Sequence, residues 1–453
     1  MTGWIEGIGR PDDATVRVAG LLIVAVITSE IGGSDRSGSD RSGSDGGRMG
    51  GWPPATLLTA PGVTRVTVSA GTPVEALVAG ATAFGYNLAR AGEAASTNWL
   101  ASPLSVEYAF AMARAGADGT TATELDRAFG FPTAGLPEAF NALTRQGTAA
   151  DTPQPASSAA SGTPLPPYPS LGSGLFTQRG FSVGEAFLRT VAKQYGSGVY
   201  PVDFLSPSAI QTINRWVERQ TAGRVHGVFD HLSTDTRLVL ASTVYLRADW
   251  RAGFVPTETG PERFTRADGR TVTVPMMHGD VNAQYATGPG WRALQLPFAG
   301  DLAMRILIPD ADGGPSPTAL LSPVVTAAAT VGMRSAHVDL AMPRWSFSGS
   351  VDLSAVLPGL GVRTAFGPGA DFAAIAPGLF IGQAAHRATI AVDERGTESA
   401  AGTGPAMVAS GRPAPAVRLR LDRPFAFNIA HVPTGMPVFI GRVGDPTATG
   451  GGS

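Results

Sequence analysis

An α+β fold is predicted by three features of the chain. Helical periodicities crowd its first half, β-rich apolar runs crowd its second, and no regular strand–helix–strand alternation links them. Of 453 residues, 43% are hydrophobic and only 15% charged, so a substantial core can be buried, in one large domain or in two or three smaller ones. A net charge of -2 argues against nucleic acid or an acidic membrane surface as partner. The absence of cysteine removes disulfides, thiolate nucleophiles and cysteine-bound metals together. No apolar run reaches membrane-spanning length.

The elements follow in order. Val18 to Thr28 has the length and apolarity of a signal h-region, yet Glu6, Asp12 and Asp13 precede it with little positive charge, and no convincing small-x-small cleavage site follows. Residues 31 to 53 are a Ser/Asp/Arg/Gly stretch with a repeated SDRSG, too polar to order itself. Residues 1–71 are therefore predicted to be disordered or weakly ordered, with 18–28 a possible non-standard signal region. Leu77, Ala81, Phe84 and Leu88 recur at the helical period and predict a helix over 74–92. Pro103 suits the first turn of a second, running to about Ala115. Residues 147–172, rich in Pro, Ala, Ser and Gly, predict a low-complexity surface insertion. Glu185 to Gln194 is helical in pattern, and Ile210, Ile213 and Val217 mark another helix with Ser206 or Ser208 as cap. Leu238 to Leu246, apolar on both faces, predicts a central strand. Further strands are predicted at 271–276, 290–297, 302–308 and 336–343. Phe425 to Val432 and Pro437 to Val443 form a hairpin through Pro433–Met436, and 447–453 is a flexible tail.

Enzyme signatures are missing: there is no GxxxxGK[ST], no HExxH and no GxSxG. The six histidines (226, 231, 278, 337, 386, 431) show no metal-ligand spacing, and His226 and His231 around Asp230 read as a solvated loop. A dispersed Ser/His/Asp triad is not excluded by spacing, and nothing favours one. No catalytic residue, cofactor or metal is predicted. The most informative stretch is Val392 to Thr403, where two acidic residues and a glycine lead into a run of small side chains. On those residues alone it reads either as a linker or as a strand that must enter a crowded space between existing strands.

Several motifs decide the matter together. Asn98 to Ser105 resembles the N-x-x-x-S-P-x-S segment of the serpins, and Gly116 to Leu125 their GA-x-G-x-T-A-x-x-L pattern. Ile213-Asn214-Arg215-Trp216-Val217 resembles IN-x-W-V, and Asp235 to Leu240 leads to Tyr245 and Trp250 as in the family's third strand of sheet A. Val274 to Met277 matches the VPMM turn. Asp422-Arg423-Pro424-Phe425, with His431, Thr434-Gly435, Phe439 and Gly441-Arg442-Val443, resembles the closing signature. Glu394 to Thr403 resembles the proximal hinge, E-x-G-T-E-x-A-A-x-T.

The resemblance spans roughly 72–446. It implies one large domain with three β-sheets, eight or nine helices and an exposed reactive-centre loop. It also implies a metastable serine protease inhibitor, not an enzyme, acting by suicide inhibition. A serine protease attacks the loop, an acyl complex forms, and the freed loop inserts into sheet A, an insertion that is itself a standard example of strand addition and of released strain. The implied residues are Glu394, Gly396, Thr397, Glu398, Ser399, Ala400, Ala401 and Thr403 for the hinge. Ser102, Ser105, Asn214 and His386 match the shutter, and Trp250 with Glu394 the breach. A monomer in the extracellular space is expected, with the cytoplasm as alternative.

The cleaved residue usually lies sixteen positions after the hinge glutamate, which places the bond at Ser410-Gly411 (394 + 16 = 410). A small residue there suits an elastase-like or subtilisin-like pocket. Ala409 and Arg412 are rivals, the latter suited to a trypsin-like pocket. Pro405 departs from the pattern, because proline cannot donate a ladder bond. The alternative is therefore a non-inhibitory serpin-fold binder or chaperone-like protein that is merely cleaved.

Overall fold

Leu77, Ala81, Phe84 and Leu88 share one face of the first helix, α1 (Val74–Ala91), and all four are buried. The computed structural model describes residues 56–68, 71–93, 97–148, 168–397 without 222, 226, 234 and 312, and 417–448. After α1 come β1 (Trp99–Ala101), α2 (Pro103–Arg114), α3 (Gly119–Phe129), α4 (Leu136–Leu143), β2 (Tyr168–Gln178), α5 (Glu185–Thr190), β3 (Val199–Val202) and α6 (Ala209–Gln220). The middle of the chain supplies β4 (Leu238–Asp249), β5 (Gly260–Thr265), β6 (Thr271–Gly288), β7 (Trp291–Pro297), β8 (Leu302–Pro309), α7 (Pro317–Leu320) and α8 (Pro323–Gly332). The last elements are β9 (Arg334–Pro343), β10 (Trp345–Asp352), α9 (Leu353–Val356), β11 (Ile381–Val392), β12 (Gly396–Thr397), β13 (Val417–Arg420), β14 (Phe425–His431) and β15 (Pro437–Val443). The fold is α+β, and none of its described helices is long and apolar enough to cross a membrane.

Two hydrogen-bonded sheets form among the described residues. The six-stranded sheet runs β10-β11-β12-β4-β2-β3, which puts Leu238–Leu246 in a central strand. The nine-stranded sheet runs β1-β15-β14-β8-β7-β6-β9-β13, with β5 also on β6. The third expected sheet is continuous with the second, because β6 is 18 residues long. One end of it pairs with β5, its middle with β9 and its other end with β7. Val274–Met277 therefore lies inside a strand and not in a turn.

Helix α2 sits between the sheets, packed on β2, β4 and β15. It begins where the Ser105 N–H donates to Ser102 Oγ (3.1 Å), with Pro103 in its first turn, and Pro103 to Ala113 are all buried. A helix buried on every side belongs in a core, and α2 carries Ser105 and Glu107 into it. On the far side of the six-stranded sheet, α6 lays Ile213, Trp216 and Val217 against Val239, Ala241 and Ala385, a second and separate core.

Four local expectations need correction. Packed structure starts before Thr72: Leu58 exchanges two backbone bonds with Val199 (2.7 and 3.0 Å), Ala60 is buried, and Arg65 Nε donates to Asn141 Oδ1 (3.0 Å). That segment is irregular, so no period announces it. The insertion ends earlier than residue 172, because β2 begins at Tyr168. Gly172 and Gly174 are small for packing reasons, since a Cβ at Gly172 would lie 2.5 Å from Thr243 Oγ1 and one at Gly174 would lie 3.0 Å from the Trp216 ring. Ser208 stands at the N-cap of α6 without capping it, and its hydroxyl pairs with Ser206 Oγ (2.8 Å). The 185–194 helix changes after Thr190 into a π-helical turn, Val191–Tyr195.

Candidate functional site

β4 and β11 lie side by side and parallel from the pair Leu238–Ile381 to the pair Tyr245–Thr389. Beyond that point β12 stands between them. Thr397 pairs with Val392 and with Ala248, and Gly396 with Asp249, so β12 is antiparallel to both neighbours. The chain turns back through Asp393, whose N–H donates to the Gly396 carbonyl (2.9 Å). The Asp393 carboxylate accepts from the N–H groups of Arg395 (2.8 Å) and Gly396 (3.2 Å). Burial pushes that carboxyl above its ordinary pKa in spite of those bonds. Only glycine fits at 396, where φ is +150° and a Cβ would fall 2.0 Å from the Ala248 carbonyl oxygen. Thr397 is fully buried.

Trp250 and Glu394, expected at the breach, meet around this turn. Trp250 donates from Nε1 to the Asp393 carbonyl (3.0 Å) and from its backbone to the Arg395 carbonyl (2.5 Å), and its ring stacks on Phe298 at 4.4 Å. The Phe254 N–H donates to the Glu394 carbonyl (2.8 Å). The Glu394 carboxylate is buried and accepts from Arg344 Nε (2.7 Å) and from the Thr259 hydroxyl. Burial raises its pKa, but the bonds from Arg344 and Thr259 outweigh burial and hold the carboxyl below its usual range. Sequence reading missed Arg344 and Thr259; neither stands in a periodic pattern, and only the fold brings them to Glu394.

Ser102, Ser105 and His386 converge under the junction of β4 and β11. The Ser102 N–H donates to His386 Nε2 (2.9 Å), which leaves the ring proton on Nδ1, facing Ser242 Oγ at 3.1 Å. Ser105 Oγ donates to the Thr243 carbonyl (2.9 Å) and so accepts from Ser242 Oγ (2.8 Å). The bonds thus run in one direction from His386 through Ser242 and Ser105 to β4. His386 is fully buried, and burial lowers its pKa from 6.5 to about 4, against a smaller opposing effect of its bond to the Ser242 backbone.

Asn214 is a correction. Its Oδ1 accepts from the N–H groups of Val228 (2.9 Å) and Phe229 (3.1 Å), and its Nδ2 donates to the Phe229 carbonyl (2.8 Å). It ties α6 to the segment that follows, on the outer face of the sheet, and among the described residues it has no bond to the histidine cluster. Ser242 takes the place in that cluster that sequence reading gave to Asn214. The available signal was a lone serine in the apolar run Leu238–Leu246.

Glu398, Ser399, Ala400, Ala401, Thr403, Pro405, Ala409, Ser410, Gly411 and Arg412 lie outside the described residues. No group of acidic residues and histidines able to hold a metal occurs among the described residues.

The arrangement of parallel β4 and β11, prised apart at one end by a two-residue strand, defines a protein class that comparison identifies. The family model described as "Serpin (serine protease inhibitor)" matches residues 79–446, and the chain belongs to that family. It is similar to neuroserpin of Gallus gallus, with 31% identity over 382 residues that cover 80% of this chain and 89% of that protein. It is also similar to alpha-1-antiproteinase 2 of Equus caballus, 30% identical over 380 residues, covering 80% and 86%. Among solved structures it matches a thyroxine-binding globulin complex with thyroxine at TM-score 0.71 and 27% identity, covering 83% of this chain and 99% of that one. A native thermophilic serpin, Tengpin, matches in fold at TM-score 0.74 and 21% identity, covering 87% and 100%. Family members mostly inhibit serine proteases and do not catalyse.

Proposed function

We propose that this protein inhibits a serine protease as a suicide substrate. The protease serine attacks the Ser410 carbonyl, the Gly411 amine leaves, and the ester so formed is trapped when the loop inserts between β4 and β11. The observation that carries this reading is the register of β12. Thr397 faces Val392 and Ala248; six residues on, Thr403 would face His386 and Ser242, which now face each other. An inserting strand thus meets two partners already aligned to receive it, and the Thr403 hydroxyl arrives at the polar cluster that the parting strands disturb. About a dozen new ladder bonds at roughly 1 kcal/mol net each would contribute on the order of 10 kcal/mol. Ser410 favours a protease with a shallow, elastase-like or subtilisin-like pocket. Incubation with such an enzyme is expected to give a complex that survives denaturing electrophoresis. Recovery of cut protein together with fully active protease would refute it.

A second reading is favoured by Pro405, which in the same register would lie between Leu240 and Ala384 and leave one ladder bond unmade. The chain would then be a binding protein, as the relative solved with thyroxine is. Calorimetry of loop-cleaved protein separates the two. A marked rise in Tm means insertion; an unchanged Tm means a cleavable binder.

A further inference from the structure

Helix α8 (Pro323–Gly332) carries no charged residue, and Ala329 alone of its residues is buried. Its inner side is fixed to α1 and to the nine-stranded sheet. Thr326 bonds to the Tyr86 hydroxyl (2.6 Å), Arg305 of β8 donates from Nη1 to Thr330 Oγ1 (3.0 Å), and a Cβ at Gly332 would lie 3.4 Å from Ala286. Its outer side presents Val324 and Val331, 79% and 76% exposed, the two most exposed large hydrophobic side chains among the described residues. Ala327 and Ala328 lie exposed between them. Residues three, four and seven apart share one helix face, so these four form a single apolar stripe.

Two features select what covers it. The stripe reads the same in both directions, Val-x-x-Ala-Ala-x-x-Val. A second α8 laid antiparallel therefore puts Val324 on Val331 and Ala327 on Ala328 at once, the self-complementarity that a two-fold interface requires. The alanines let the helix axes approach to about 8 Å. The ends of the helix are also complementary in charge. Exposed Arg334 stands at the C-terminal end, donating to the carbonyls of Val331 (2.8 Å) and Met333 (2.7 Å). Exposed Glu93 stands on the side of the N-terminal end, bonded to Ser316 (3.3 Å), the cap of α7 that leads into α8. Antiparallel pairing brings each arginine toward the end of the partner helix that carries the carboxylate.

We infer that α8 is a dimer contact, at which a second copy of this chain packs antiparallel about a two-fold axis between Ala327 and Ala328. This replaces the monomer expected from the family resemblance. The stripe amounts to a few hundred Å² per copy, against ~800 Å² per partner in a standard stable interface. The dimer is therefore reversible, formed at about 100 μM and dissociated near about 1 μM. α8 packs on β6 and α1, whereas β4 and β11 belong to the other sheet, so those two strands stay free to part in either copy.

Sedimentation velocity of the full chain tests the contact, with the parent expected to move from monomer to dimer between about 1 and 200 μM. Val324→Glu and Val331→Glu, at exposed positions, should hold the protein monomeric with Tm unchanged. Cross-linking tests the geometry, and the absence of native cysteine makes it clean. In oxidised glutathione, a mixture of Val324→Cys and Val331→Cys proteins should form disulfide-linked dimers about tenfold faster than either variant alone, because only the mixed pair brings two sulfurs within bonding reach. A parent still monomeric at the highest concentration overturns the inference. So do dimers that survive both Glu substitutions, which would place the contact elsewhere, and equal cross-linking of mixed and separate variants. Binding of a monomeric parent to phosphatidylcholine vesicles, lost in Val324→Glu, would overturn it by assigning the stripe to a lipid surface.

Discussion

Acid should weaken this fold through one histidine. His386 is fully buried, and its pKa falls from 6.5 to about 4 because burial disfavours the cation. Between those two values the unfolded chain takes up a proton that the folded protein refuses. Stability is therefore complete above about pH 6.5 and is lost as pH falls toward 4. At ~1.36 kcal/mol per pH unit, the interval from 6.5 to about 4 amounts to about 3 kcal/mol. The geometry gives the same sign, since a proton on Nε2 would point at the Ser102 N–H that now donates to it. The assay is urea unfolding at a series of pH values from 7.5 to 4, on the parent and on His386→Gln. The variant should start lower at pH 7.5 by about 1–3 kcal/mol, the usual effect of leaving buried polar partners unsatisfied. It should then lose about 3 kcal/mol less than the parent on acidification. Parallel curves for the two proteins would refute the reasoning, because other groups would then carry the acid response.

Three further outcomes follow from the same geometry. Gly396→Val places a side chain against the Ala248 carbonyl, so β12 should leave its position, exposing the Ala248 and Asp249 amides to exchange and lowering the yield of any protease complex. Glu394→Gln removes the charge that Arg344 and Thr259 address; with Arg344 partly exposed, the expected loss is about 1 kcal/mol, seen as a fall in Tm that shrinks at high salt. Glu107 is fully buried in α2, neither of its carboxylate oxygens is bonded among the described residues, and burial pushes its pKa well up. The unfolded chain ionises first, so this group disfavours folding increasingly as pH rises above the ordinary carboxylate range. Glu107→Met should stabilise the native protein at pH 7 by on the order of 1–3 kcal/mol, measured by urea unfolding, and a loss of stability would show that the carboxyl has a partner in solution.

Much of the fold was legible because its signals are local. The period of Leu77 to Leu88, the Ser102–Pro103 start of α2 and the apolar run of β4 each depend on near neighbours in sequence. Gly172 and Gly174 misled because glycine marks loops and tight packing alike, and composition cannot distinguish them. Residues 56–68 were invisible for the opposite reason: they are held by a few long-range contacts, such as those of Leu58 with Val199 and of Arg65 with Asn141, that leave no period. Asn214 was placed with the histidine cluster because its motif was right while its face of the sheet was not, and the side of a helix that meets a sheet is settled by packing.

By itself the sequence determined the α+β class, the family motifs and the run of small residues from Gly396 onward. Tertiary structure alone decided which groups meet: Ser242 with His386 across β4 and β11, Arg344 and Thr259 on Glu394, and Arg387 on Gly227. The physical reason is separation along the chain. Side-chain chemistry and local conformational preference are written residue by residue, whereas a hydrogen bond between residues 144 positions apart exists only once the strands that carry them have paired.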